Sequence, residues 1–382
     1  MRMRKGSAIG PADCILALAC VILWVGPAAH AWTPAQPGYE WSFPRDHWAH
    51  DDYKTEWWYF TGHLRSVEEP ARRFGFQFTF FRIGMSRETP PSGSAWAAGN
   101  LIMGHAAVTD LDNGAHRFSE LVVRAAPLLG GFGRYPDPRL AWSVGPTGTP
   151  DAWQLHWNGN GFDFTMADAG KGFGFSLATR PVKPLVFQGP GGLSRKGEGA
   201  TEASHYYSYT RMTATGTIRL DGKEWNVGGT SWMDKEFGSN QLGEDTVGWD
   251  WFSLQLDDGR EVMLYLLRNR DGATHHAGAT VVDLEGAVRY LNPTEWNLDA
   301  TGRWTSPATG TPYPAAWTLD VPTAGIHTVI TPRLADQENR SALIPNLFYW
   351  EGSVRVDDGK GRRIGQGYVE LTGYGENSRP PM

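Results

Sequence analysis

The sequence predicts an all-β protein built from two similar barrels, and three observations carry that prediction. Short apolar runs, alternating or clustered over strand lengths, follow one another along the chain, and helical periodicity is hard to find. Turn punctuation is dense: 47 Gly and 25 Pro, with Asn-Gly, Asp-Gly and Pro-Gly pairs between the apolar runs, fit sandwiches or barrels rather than helical layers. The opening hairpin also recurs. WWYFTGHL at 57–64 lines up with WDWFSLQL at 249–256, and each leads through a loop into an apolar strand ending in Arg, at Arg82 and Arg268. The 18 Trp exceed what cores of this size use, which suggests aromatic-lined cavities for lipids, polyenes or sugars.

In chain order, Arg2, Arg4 and Lys5 precede an apolar run from Cys14 to Val25 and an Ala29-His30-Ala31 site. This is the pattern of a secretory signal peptide, cleaved after Ala31, with a run too short to span a bilayer. The expected location is the periplasm or the exterior. Both cysteines lie in the leader, so the exported chain has no disulfide and rests on core burial. The formal charge of −6 becomes more negative once the basic leader is removed, which argues against nucleic acid or anionic membrane as partner.

Residues 32–54 are Pro-rich and aromatic and read as an extended arm on the outside of a barrel. His47, His50, Asp51 and Asp52 lack metal-ligand spacing and read as a solvated loop, so no metal is expected. TEWWYFTGHL (55–64) and RFGFQFTFFR (73–82) form a hairpin with an aromatic inner face. Trp57 and Trp58 are candidate ligand contacts, with Glu56 a carboxylate beside them. Further strands are expected at 121–124, 140–144, 153–157, 162–165, 173–179 and 184–187, with GGFGRYP (130–136) as loop. The Gly-rich stretch 189–199 lacks the strand–loop–helix setting of a phosphate loop and reads as a lid or crossing.

The stretch from Ser204 to Gly238 holds the reactive residues. His205 with Tyr207, and Trp232 with Asp234, are each spaced i, i+2 and so share a strand face. Asp221-Gly222 between them is a hairpin turn. The four side chains are expected to converge on one interior surface. A polar stretch at 239–245 then separates two domains, 32–240 and 241–382. In the second, Trp249 and Trp251 open a hairpin turned at Asp258-Gly259. A last hairpin turns at Asp358-Gly359, and Glu351 and Glu370 flank aromatics on its strands.

Taken together, TEWWYFTGHL, SHYYSYTRM, SWMDKEFG, GWDWFSLQL, YWEG and GYVELTGY resemble the AttH-type, carotenoid-hydratase-like family, over about 55–374. The resemblance implies two lipocalin-like barrels packed side by side and no metal or organic cofactor. In the carotenoid branch, which hydrates a terminal polyene double bond, a His-x-aromatic then aromatic-x-Asp pattern is active. It falls here on His205, Tyr207, Trp232 and Asp234. The AttH-type branch carries the description "predicted secreted hydrolase", and its genes accompany ABC transporters of the lipoprotein-release type. This chain has WMDKEFG where the carotenoid branch has a second His after the Asp, so the carotenoid substrate is not carried over.

Three functions follow as expectations. The first is an exported carrier or accessory of an ABC transporter, binding a hydrophobic small molecule or lipid. The second is a cofactor-free hydratase or isomerase. Burial would raise the Asp234 pKa and make it a general acid, Trp232, Tyr207, Trp249 and Trp251 would stabilise a carbocation, and His205 would orient the acid or deprotonate water. The third is a hydrolase, possibly of glycans, using Asp234 and Glu236 on one strand face. A serine-esterase reading is poor, because no G-x-S-x-G elbow appears.

Overall fold

The alternation read from the sequence becomes two long antiparallel meanders, each curled on itself. The computed structural model describes residues 31–87, 98–150, 152–376 and 378. The expected leader, Ala31 apart, lies outside the described residues. The first sheet comprises β1 (Thr55–Ser66), β2 (Arg73–Gly84), β3 (Asn100–Asp110), β4 (Ala115–Arg124), β5 (Gly130–Phe132), β6 (Arg139–Ser143), β7 (Trp153–Trp157), β8 (Phe162–Asp168), β9 (Phe173–Pro181), β10 (Val186–Phe187), β11 (Leu193–Arg195), β12 (Ala203–Leu220) and β13 (Lys223–Gly238). The second comprises β14 (Thr246–Leu256), β15 (Glu261–Asn269), β16 (Thr274–Val282), β17 (Val288–Leu291), β18 (Asn297–Thr305), β19 (Pro312–Val321), β20 (Ile326–Pro332), β21 (Glu338–Arg340), β22 (Phe348–Asp358) and β23 (Arg363–Leu371).

Both sheets have the same connectivity. The first strand pairs with the last, β1 with β13 and β14 with β23, and the open edges fall between the fourth and fifth strands of each. The repeated opening hairpin is thus the visible trace of two equivalent halves, each a barrel-like sheet of the lipocalin type. β3, β11 and the strands β16–β21 were not expected. β3 (NLIMGHAAVTD) is rich in small residues, and Gly104 is needed because a Cβ there would come within 3.0 Å of the Trp153 ring. GGFGRYP, read as loop, contributes the short β5.

Period-two burial decides what each face does. On β1, Trp58 and Phe60 point inward and join Phe76, Phe78, Phe80, Trp153, Phe164 and Phe175 in a filled core. Phe78 and Phe164 stack at 4.9 Å. The second barrel is filled by Phe252, Leu254, Trp317, Leu319, Trp350 and their neighbours. Apolar side chains thus fill both interiors, and the aromatic-lined cavity expected from the tryptophans lies elsewhere. The alternate residues of β1, Trp57 and Tyr59, face the second barrel instead. Tyr59 joins Tyr206, Trp232, Trp251, Met263, Tyr265 and Tyr368 in a third cluster between the barrels.

The arm is only partly external. Trp48 enters the first core, and buried His47 accepts through its carbonyl the Trp58 indole N–H at 2.7 Å. The loop at 45–52 therefore plugs one end of the barrel, with His47 buried rather than solvated.

Candidate functional site between the barrels

The site depends on one extra residue. From the Asp221-Gly222 turn, where φ is 51° and 80°, β12 and β13 pair in simple register from Leu220↔Lys223 to Met212↔Ser231. Thr210 and Arg211 then stand against Trp232 alone, and the register resumes one residue shifted at Tyr209↔Met233. This is a β-bulge, and a one-residue slip moves every later side chain to the other face. Without it, Tyr207 and Tyr209 would oppose Glu236 and Asp234. With it, Tyr206 and Ser208 do. The second barrel holds the bulge in place. Gln255 Nε2 donates to the carbonyls of Thr210 (2.9 Å) and Ser231 (3.0 Å), and Arg211 pairs with buried Glu261 at 2.5 Å.

The expected convergence of four residues is corrected accordingly. Trp232 and Asp234 face the second barrel. His205 and Tyr207 face away, beneath the arm: the His205 ring lies 4.4 Å from Tyr39, and the Tyr207 hydroxyl is 2.7 Å from His47 Nδ1. Burial lowers the His205 pKa to about 4. Glu56 and Trp58 share that face. Glu56 is wholly buried and paired with Arg82 (2.9 Å), His50 and Lys235, whose ammonium sits 3.4 Å from the Trp58 ring centre. Glu56 is a structural ion-pair node, and neither it nor Trp58 reaches the inter-barrel space.

That space is a cavity of about 120 Å³. Of the expected residues, Trp57, Trp249, Trp251, Asp234 and Glu236 line it. Trp232 stands behind Asp234 and donates to it. The sequence reading missed Tyr59, Tyr206, Tyr265, Tyr349, Gln77, His105, Lys196 and Gln241, and left Glu351 and Glu370 open as strand glutamates; all ten line the cavity. The Gly-rich stretch is the crossing that delivers Lys196, whose ammonium meets Glu236 at 2.9 Å and stands over the Tyr265 ring.

The carboxyl groups differ in surroundings. Asp234 accepts from Ser208 Oγ (2.5 Å), Tyr206 Oη (2.6 Å) and Trp232 Nε1 (2.7 Å), while Trp251 Nε1 donates to Tyr206 at 3.2 Å. Burial pushes its pKa up to about 7 against those three donors. Glu370 receives one hydrogen bond, from Trp249 Nε1 at 3.1 Å. Burial, with Asp234 and Glu236 nearby, pushes it up to about 7 as well. Glu351 is directly opposite Glu370 on β22 and β23 and takes a 2.5 Å bond from Tyr59. Burial and the Glu370 charge hold it well above the usual carboxylate range.

The two halves supply equivalent acids. Asp234 on β13 opposes Tyr59 on β1, and Glu370 on β23 opposes Trp251 on β14. Side-by-side packing turns these matched positions toward one another. Around them, Gln77 Oε1, Gln241 Oε1 and His105 Nε2 are buried without hydrogen-bond partners among the described residues. His105 is held neutral by burial, its pKa near 3, and its other nitrogen meets Tyr349 Oη at 2.7 Å. Such a set can bind an apolar molecule, hold a proton between carboxyls and offer polar groups to a ligand.

Fold and site together define a double-barrel protein with an acid-bearing aromatic cavity between its halves. A family model described as AttH-like matches residues 34–374, and the chain belongs to the AttH-like family. The AttH-like protein of Nitrosomonas europaea is similar over 90% of this chain and 99% of its own, at 32% identity and a TM-score of 0.76. Kievitone hydratase from Nectria haematococca shares the fold at 11% identity, covering 90% of this chain and 96% of its own, with a TM-score of 0.60. Among curated proteins, none matches the chain.

Proposed function

We propose that the protein is a cofactor-independent hydratase or isomerase that transfers a proton at a carbon–carbon double bond of an apolar, isoprenoid- or polyene-like substrate. One observation carries the proposal: three buried carboxyl groups, each pushed by burial above the ordinary carboxylate range, face the aromatic walls of a single cavity. Protonating an alkene carbon needs an acid, a surface that tolerates a cation, and a base for water. Glu351 and Glu370, too close for both to ionise freely, share the proton that is donated. The π electrons take it, a C–H bond forms, and the adjacent carbon becomes cationic beside Trp57, Trp249 and Trp251. Asp234, whose three donors favour its ionised form, accepts a proton from water as the oxygen bonds to that carbon. Loss of a neighbouring C–H proton to Asp234 would instead give the isomer.

The shared fold with a hydratase supports the reading without naming a substrate. A carrier of hydrophobic ligands, exported by the leader and serving an ABC transporter, would need the aromatic walls but leaves the gathered acids unexplained. A glycan hydrolase is less well served, because Glu236 is committed to Lys196 and to Ser204 at 2.5 Å.

The test is incubation of the purified protein with an apolar extract of its own cells in H2¹⁸O. Wild type is expected to generate heavy-oxygen alcohols or shifted double-bond isomers, and Asp234→Asn and Glu370→Gln to generate neither. Apolar molecules that bind unchanged to all three proteins would instead establish the carrier.

A further inference from the structure

The seam between the barrels carries a second polar centre, built around Ser353 and some distance from the cavity. Ser353 lies two residues past Glu351 on β22, on the same face. Its hydroxyl meets His63 Nε2 at 2.7 Å, and a Cβ added at Gly75 would lie 3.2 Å from its own Cβ. Its carbonyl accepts the backbone N–H of Arg333 at 3.0 Å. Each chain segment that meets at Ser353 brings an arginine. Arg65 is two residues past His63 on β1, Arg73 two before Gly75 on β2, and Arg355 two past Ser353; side chains two apart on a strand share a face. Arg65 and Arg73 are direct cross-strand partners, an arrangement of like charges that is destabilising by itself. Arg363, on the strand paired with β22, joins them.

Three of the five guanidiniums have their own carboxylates: Arg73 with Asp112 (2.6 Å), Arg355 with Asp357 (2.5 Å) and Arg363 with Asp257 (3.4 Å). Arg65 and Arg333 make no side-chain hydrogen bond or ion pair among the described residues, and Arg333 Nε is buried without a partner. Burial, and then Arg363, Arg73, Arg65 and Arg355, pull the Arg333 pKa down to about 10. Such a gathering is out of keeping with a chain whose formal charge is −6. Along the seam, the carboxyl cavity and this cluster are about four residues apart on β22, or roughly 13 Å at strand rise, with the His63–Ser353 contact between them.

We propose that Arg333 and Arg65, backed by Arg73, Arg355 and Arg363, form a binding site for a phosphate-type oxyanion at the junction of the two barrels. Guanidiniums suit a tetrahedral anion, which would fill the unused donors and offset the repulsion between halves. The anion is either free or the phosphate of a lipid headgroup. Because the site bridges the barrels, its occupant would stabilise their packing.

The experiment follows the melting of the full-length chain, with sodium phosphate exchanged for sodium chloride at constant ionic strength. In parallel, the protein is sedimented with phosphatidylglycerol or phosphatidylcholine vesicles. Phosphate is expected to raise the wild-type midpoint by about 2 °C or more and to leave Arg333→Gln and Arg65→Gln unmoved. In phosphate-free buffer, Arg333→Gln is expected to melt no lower than wild type, because it relieves repulsion; a purely structural arginine would give the opposite. Arg65 is exposed, so Arg65→Gln carries the comparison should Arg333→Gln fail to fold. Sedimentation with phosphatidylglycerol alone, lost in the variants and with no response to free phosphate, assigns the site to a lipid headgroup. No response to either probe, or variants that respond as wild type does, overturns the proposal.

Discussion

At Asp234, burial and hydrogen bonding pull one carboxyl in opposite directions. Desolvation favours the neutral acid, and three short donor contacts favour the anion. Glu370 is also buried and has a single donor, and its pKa is likewise pushed up from the ordinary glutamate value of 4.5 to about 7. Its contribution to stability is therefore fully present below the unfolded value and is lost as the pH rises through about 7. Glu370→Gln removes that dependence while keeping size and an acceptor. Between about pH 5 and pH 8 wild type should lose on the order of 2–3 kcal/mol more than the variant, read from urea midpoints at each pH. In activity, Asp234→Asn should lower turnover by about 10²–10⁴-fold with little change in ligand affinity, as expected for one acid–base group. Turnover in the H2¹⁸O assay and binding to inactive protein separate the two effects.

At the scale of the element, β12 decides which residues meet. The bulge at Thr210-Arg211 presents Tyr206 and Ser208 to Asp234 and sends His205 and Tyr207 beneath the arm. Arg211 then reaches across to Glu261, which Lys183 also holds at 2.8 Å. Removing one partner of a buried charge is costly, but Lys183 would remain. Arg211→Ala should therefore cost about 2–3 kcal/mol in denaturant unfolding, and an unchanged midpoint would refute the role given to this tie. The same strand marks the limit of sequence reading. Strand positions, the Asp221-Gly222 turn and the shared face of Asp234 and Glu236 follow from period-two alternation, which is local. A bulge has no comparable signature in one sequence, so the partner of Asp234 was misplaced by one residue. Glu351 and Glu370 were visible as strand glutamates beside aromatics. Their meaning depends on which outer face meets the other barrel, and that is a property of packing. Trp58 and Trp57 show the same limit: adjacent tryptophans, one in a core and one in the cavity.

For the whole molecule, two equivalent halves give up their outer faces to each other. The cores are closed and filled, and the candidate site lies where the barrels meet, lined by residues of both halves. The shared aromatic cluster and the Glu261 ties join the halves energetically. Calorimetry should give one cooperative transition for both barrels, and two separated transitions would show the interface to be weak. The proposed proton transfer needs carboxyls in the cavity between the halves that stay protonated near neutral pH. Difference infrared spectroscopy across a pH titration reads them through the C=O stretch of protonated carboxyls. Wild type should keep such a band until near pH 7, where it should titrate away, and Glu370→Gln should lose a large part of it. Complete ionisation by about pH 5 in wild type, well below the raised values that burial implies, would refute this.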